Sequence, residues 1–204
     1  NISRRGYSMI VHDITKELTS TPVYEGDPIT DFQWVTRIDC GEDYNLSKIK
    51  FCNHAGTHID TPKHFFDDGN TITDYQMNRF YGNCTVVEAK HPLTGEDMEK
   101  ILPFCCKKIL FKGVGEGILT LSAVFVMGEY DVEMVGTENA SIAYESEEYA
   151  VHRELALKDI LIIENLDLSQ IATGSYILAA LPLKIDGAEA APTRAILLEQ
   201  ELGL

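Results

Sequence analysis

Apolar and polar residues alternate in short runs along much of the chain, and turn-forming residues separate the runs. Leu46 to Phe51 (LSKIKF) changes character almost residue by residue, as a strand with one buried face does. The same reading makes strands of Met9–Thr15 (MIVHDIT), Phe32–Ile38 (FQWVTRI) and Leu46–Cys52 (LSKIKFC). CTVVEA from Cys84, KKILFKG from Lys107 and AVFVMGE from Ala123 read as further short strands. ILIIE from Ile160 is apolar up to Glu164, which predicts a strand buried on both faces; SYILAALPLKI from Ser175 and TRAILLE from Thr193 follow as strands. Two stretches have helical character. TGEDMEKIL opens with a capping threonine, Thr94, and an acidic first turn. Ser146–Lys158 (SEEYAVHRELALK) has Ser146 as N-cap, Glu147 and Glu148 at the positive end and Lys158 in the last turn. Tyr149, His152, Leu155 and Ala156 share one face of that helix. Strands and helices mix irregularly, which predicts an α/β protein with a mixed sheet rather than a bundle or sandwich. With no repeat, low-complexity tract or linker, one domain is expected over residues 9–204, with 1–8 as an N-terminal extension or a remnant of expression.

Composition narrows the function classes. Of 204 residues, 45% are hydrophobic and 24% charged, an ordinary globular balance. Asp and Glu number 32 against 17 Lys and Arg, a net charge of −15, which argues against nucleic-acid backbone binding. The five cysteines are odd in number and form no CxxC, so reduced thiols and a cytoplasmic location are expected. No apolar run approaches the ~18 residues of a membrane span, and the N-terminus has no signal-peptide pattern.

Chemistry concentrates in Asn53–His64 (NHAGTHIDTPKH), which holds three of the six histidines. Gly56, the threonines, Ile59 and Pro62 disfavour a helix. In a straight strand His54 and His58 would stand ~13 Å apart, too far to share a metal ion. Gly56 permits the bend that would bring them together, and Pro62 stiffens the exit. His58 and Asp60 lie on one side. A solvated loop with coincidental histidines is the plainer alternative. Three histidines and an aspartate around a well-placed glycine favour a metal site. His12 and His91 read as structural. Cys52, Phe32 and Trp34 read as packed strand residues, although the two aromatics could line a pocket for a planar substrate.

The segment resembles the HxGTHxDxPxH signature of the cyclase-like metal-dependent hydrolases, whose best-known member is kynurenine formamidase. His54, Gly56, Thr57, His58, Asp60, Pro62 and His64 all match without a gap. Similarity extends to VYEGDP from Val23, to HRELALKDILIIENLDL from His152 and to PLKIDGAEAAPTRAI from Pro182, covering about Asp13 to Arg194. Glu25 stands where the family usually has proline, and Ala190 where glycine is common. The resemblance implies a swivelling β/β/α fold. It also implies two divalent metal ions, zinc or alternatively manganese, with His54, His58 and Asp60 on the first. Asp60 would bridge to a second ion held by His152 and Glu164, and His64 would move protons rather than bind metal. Taken alone, His152 could be a core histidine and Glu164 a strand-end carboxylate meeting solvent.

The implied reaction is hydrolysis of a small aryl formamide, N-formylkynurenine-like, to formate and an amine. Ring opening of a cyclic amide or lactone such as isatin is the alternative. A third possibility is a non-catalytic metal-binding protein of the same fold. A small-molecule amide is the expected partner, with no nucleic acid or membrane, and a homodimer or higher homo-oligomer is implied.

Overall fold

The alternating segments close into a ring of strands. The computed structural model describes residues 9–113, 115 and 118–200; the extension expected at residues 1–8 lies outside them. The strands are β1 (Met9–Asp13), β2 (Asp31–Thr36), β3 (Leu46–Lys50), β4 (His58–Asp60), β5 (Tyr81–Glu88), β6 (Lys108–Lys112), β7 (Met134–Thr137), β8 (Leu161–Glu164), β9 (Gly174–Pro182) and β10 (Ala190–Gln200). The main sheet runs β1-β10-β4-β8-β7-β6-β5-β9, and β9 pairs again with β10. Seven strands therefore form a closed barrel, with β1 added at the edge of β10. Neighbours from β5 to β8 are parallel and the other pairs antiparallel, so the sheet is mixed, as expected.

Two apolar layers hold this barrel. Leu110, Met134, Leu161, Ile163, Leu178 and Leu197 belong to the first. The second lies beneath three helices, α1 (Gly95–Ile101), α2 (Leu121–Glu129) and α3 (Glu148–Leu157). There Met98, Met127, Val151 and Leu155 meet Ile109, Phe111, Val135 and Ile162. Strands covered on both faces need apolar residues at every position, which is why β6 and β8 read as continuous apolar runs.

The same two-sidedness aims the polar residues. In β8, Leu161 and Ile163 face the first layer and Ile162 the helix layer. Glu164, two residues beyond Ile162, therefore emerges on the helix side. In β4, Ile59 faces the first layer, so His58 and Asp60 take the opposite face. Antiparallel pairing sets His58 opposite Glu164 and Asp60 opposite Ile162. A one-residue slip would turn these side chains into the apolar layer, so the core fixes the register.

Several elements differ from expectation. AVFVMGE is helical, within α2, not a strand: Ala123, Val124 and Met127 are buried together at helical spacing while Phe125 faces out. A short apolar run does not distinguish strand from buried helix, and packing between α1 and α3 overrides the β-propensity of valine and phenylalanine. Helix α3 starts at Glu148 after a 3-10 turn over Glu145–Glu147, so Ser146 does not cap it. Its buried stripe is Val151, His152, Leu155 and Ala156, and Tyr149 is exposed. Helix α1 has the expected cap: the Thr94 side chain accepts from the Asp97 N–H, and the Asp97 carboxylate accepts from the Thr94 N–H at 2.9 Å. Strands β4 and β7, of three and four residues, have no alternation long enough to read.

Phe32 and Trp34, expected as strand core, lie instead on an open hairpin. Among the described residues β2 and β3 pair only with each other, with Phe32 opposite Ile49 and Trp34 opposite Ser47. Phe32, Trp34 and Ile49 thus share a face, and all three are exposed, at 47%, 51% and 42%. Among the described residues no helix is long and apolar enough to cross a membrane.

Candidate metal centre

The histidine segment bends where its glycine allows. Gly56 takes φ +62°, and a β-carbon there would come within 3.0 Å of the Leu18 backbone. The reversal begins with the Ala55 N–H donating to the Cys52 carbonyl at 3.0 Å. Thr57 then fastens it to the barrel: its hydroxyl donates to the Asn165 carbonyl at 2.5 Å and accepts from the Lys16 N–H at 2.8 Å. His54 and His58 end with ring centroids 5.1 Å apart, far closer than a straight strand would hold them. After β4, Pro62 opens a 3-10 turn over Pro62–His64, which swings His64 back to 4.3 Å from the His54 ring.

Five side chains converge from β4, the preceding bend, α3 and β8. His54 Nδ1 lies 2.9 Å and His58 Nε2 3.4 Å from Asp60 Oδ1. His152 Nε2 lies 3.1 Å from Glu164 Oε1, and His58 Nε2 3.6 Å from Glu164 Oε2. The groups His54–His58–Asp60 and Asp60–His152–Glu164 each offer ligand atoms within 4.8 Å of one another, and Asp60 belongs to both.

Backbone carbonyls orient two of the rings. His58 Nδ1 donates to the Gly56 carbonyl at 2.9 Å, and His152 Nδ1 to the Glu148 carbonyl at 2.9 Å. With Nδ1–H held by these carbonyls, Nε2 of each ring faces inward and is the nitrogen that would give up its proton to a metal ion, the arrangement by which outer partners set a metal-binding histidine. His58 Nε2 and Asp60 Oδ1 are buried close to each other and to His54, yet neither makes a well-aligned hydrogen bond. Orphaned polar atoms at 2% and 4% residue exposure are costly unless something else satisfies them, and a divalent cation between these donors would. The residues fit such an ion.

Charge in the cluster is tightly balanced. Burial pulls the His58 pKa down, but the Asp60 charge and the Glu164 carboxylate outweigh it and raise it to about 9. His152 is likewise lowered by burial and raised more strongly by Glu164, again to about 9. Burial would raise Asp60, yet His54 and His58 hold it below the usual carboxylate range. His64 moves the other way: lost hydration of its ring outweighs the attraction of Asp60 and holds its pKa below the ordinary value. It belongs to neither ligand group.

The cluster floors a cavity of about 790 Å³. Tyr24, Phe65 and Tyr149 are among its walls, and Phe65 stacks on His152 at 5.6 Å. The Cyclase family model, described as "Putative cyclase", matches residues 12–109. A kynurenine formamidase of Delftia acidovorans is 31% identical over 191 residues, spanning 87% of this chain and 91% of that protein. This chain belongs to the cyclase family. Solved structures carry the same fold. A Bacillus stearothermophilus protein described as a predicted metal-dependent hydrolase superposes with a TM-score of 0.73 at 27% identity, over 94% of this chain and 98% of that one. Isatin hydrolase A of Labrenzia aggregata gives 0.80 at 21% identity, over 95% and 94%.

Within this cyclase-family site, sequence reading missed some neighbours. Glu189 Oε1 lies 3.4 Å from His54 Nε2, on the side of the ring away from Asp60, and accepts from the Asn53 amide at 3.4 Å. It sits inside GAEAAPTR, where only the neighbouring Ala190 stood out. Phe65 and Tyr149 carry no signal beyond adjacency to His64 and a place on α3. Cys52 is half-buried beside Asp27 and does not line the cavity. His12 pairs with Glu199 at 2.8 Å and His91 bonds the Pro92 carbonyl, both away from the site, as expected.

Proposed function

We propose that this protein hydrolyses the C–N bond of a small aryl formamide, N-formylkynurenine-like, releasing formate and an arylamine. The observation that carries this reading is Asp60, one carboxylate shared by two ligand groups, with an uncommitted histidine, His64, beside them. Kynurenine formamidase relatives support the substrate class. His54, His58 and Asp60 would hold one divalent ion and Asp60, His152 and Glu164 a second. The nitrogen and oxygen donors suit zinc, or alternatively manganese. Such ions, when bound, supply Lewis acidity and make water acidic enough to act near neutral pH.

This chain's own residues do the rest. His58 and His152 hold Nδ1–H on backbone carbonyls, which aims Nε2 at the ions; binding would displace the Nε2 proton that the neighbouring carboxylates otherwise favour. His64, with its lowered pKa, is neutral near pH 7 and takes a proton from the attacking water at a ring nitrogen. It then delivers that proton to the departing aniline nitrogen, which leaves as the neutral amine. Phe65 and Tyr149 offer ring faces and edges to an aryl group in the cavity.

Elemental analysis together with a substrate panel tests the whole reading. Protein purified without chelator and supplied with zinc is expected to carry close to two ions per chain and to hydrolyse formanilides. Isatin turned over in preference to formanilides would favour the cyclic-amide alternative. Full metal with no turnover on either would favour a non-catalytic protein, and only trace metal, unrecoverable on adding zinc or manganese, would sink the site.

A homodimer or higher oligomer is part of the same proposal. The uncovered face of the β2–β3 hairpin supports it, because an isolated hairpin is marginal in water and this one leaves Phe32, Trp34 and Ile49 exposed. Sedimentation should give a mass of two or more chains, falling toward one in the Phe32→Ser/Trp34→Ser variant. A wild-type protein that sediments as a monomer at micromolar concentration contradicts it. The free thiols of all five cysteines support a reducing, cytoplasmic location, which cell fractionation would check.

A further inference from the structure

The metal centre lies at the floor of its cavity, and the upper wall has a charge pattern of its own. Glu25 and Asp27 reach it from the loop before β2, Glu145 from the 3-10 turn that precedes α3, and Glu148 from the first residue of α3. Among the described residues none of these four carboxylates pairs with a lysine, arginine or histidine. No lysine or arginine is found among the described residues that line the cavity. Glu148 accepts from the Tyr24 hydroxyl at 2.9 Å, which ties the two segments together across the wall. The cavity is a binding site on grounds independent of these acids: buried, unpartnered His58 Nε2 and Asp60 Oδ1 point into it.

Floor and wall therefore differ in sign. Two divalent ions bring +4, and Asp60 and Glu164 return −2, leaving the floor positive. The wall carries four negative charges with no cation against them. Low-dielectric walls focus such a field on whatever enters. The reacting carbonyl belongs at the floor. The far end of the substrate then meets the acidic wall, where a carboxylate is repelled and an ammonium is held. N-formylkynurenine carries both groups on one arm, and this wall has a partner for only one of them.

We propose that the acidic wall formed by Glu25, Asp27, Glu145 and Glu148 selects formamides whose non-reacting arm ends in a cation, and rejects those ending in a carboxylate. Within the N-formylkynurenine-like class, the preferred substrates carry an alkylammonium on that arm, and a carboxylate there weakens binding. This rests on the formamidase reading above, and it assigns the wall to specificity rather than to the chemistry.

The test compares three formanilides of equal arm length, ending in an ammonium, a neutral carboxamide or a carboxylate. A spacer of at least three methylenes damps the through-bond effect of the terminal charge on the leaving nitrogen, so the three amines differ little in basicity. With the metal-loaded protein at low salt, kcat/KM is expected to favour the ammonium arm over the carboxylate arm by at least about tenfold. The preference should shrink in 0.5 M NaCl, as a screened interaction does. In the Glu25→Gln/Glu145→Gln/Glu148→Gln variant the same ratio, internal to one protein, should fall toward one. Calorimetry with the three product arylamines gives the same ranking without turnover. A ratio near one, a preference for the carboxylate arm, or a preference untouched by both salt and variant would overturn the proposal. If the neutral formanilide is not hydrolysed at all, the formamidase reading fails instead, and the calorimetric series still decides the role of the wall.

Discussion

Asp60→Asn is expected to remove bound metal and turnover together. Asp60 Oδ1 lies 2.9 Å from His54 Nδ1 and 3.4 Å from His58 Nε2, and the carboxylate also belongs to the group with His152 and Glu164. Among the described residues no other side chain belongs to both groups. An amide there withdraws one negative charge from a buried cluster and can set N–H donors where a cation needs a lone pair. The residue is 4% exposed, so water cannot make up the loss. Outer-shell partners of metal ligands typically account for about 10–100-fold in affinity, and a shared ligand should exceed that. Both ions should be lost rather than one. Asp97→Asn is the control, a surface change on the cap of α1 far from the cluster, and should leave metal content and turnover at wild-type levels. Full occupancy and wild-type turnover in Asp60→Asn would show that Asp60 does not bridge.

Much of this arrangement was legible along the chain, for reasons that can be named. The bend at Gly56 follows from distance alone, since two histidines four residues apart in a strand cannot meet. Glu164 at the end of ILIIE stood out as a charge closing an apolar run, and the two-sided burial of β8 explains both the run and its end. Pairing His152 with Glu164 came from the family resemblance, because nothing in local pattern connects a helix face to a strand end. Closure of the barrel through β9 and β10 depends on pairings such as Thr193 with Pro182, set by the global sheet rather than by either segment. AVFVMGE misled because a run without polar punctuation has no period to measure. The hairpin misled for the opposite reason: its alternation is clear, but the pattern identifies an apolar face and not what covers it. The acidic wall was invisible because its carboxylates lie in segments some 120 residues apart in sequence, as Tyr24 and Glu148 do, at a separation of 124.

His64→Ala is expected to keep its metal and its fold while turnover falls by ~10²–10⁴, the usual contribution of a positioned proton carrier. His64 sits at the edge of the cluster, 4.3 Å from the His54 ring, outside both ligand groups. Burial lowers its pKa, so its ring would have a nitrogen open to a proton near neutrality, whereas His58 and His152 would have theirs committed to the ions. The loss should fall on the chemical step, with substrate binding changed little. A formamide whose amine is a good leaving group should suffer less, because its nitrogen needs less help from a proton. If His64 were instead a third histidine ligand, His64→Ala would lose metal in step with activity, as His58→Ala should. If it merely oriented Asp60, the loss would be small and partial. Metal content and single-turnover rates on both variants separate the three roles. Metal loss in His64→Ala equal to that in His58→Ala would remove His64 from proton transfer and place it among the ligands.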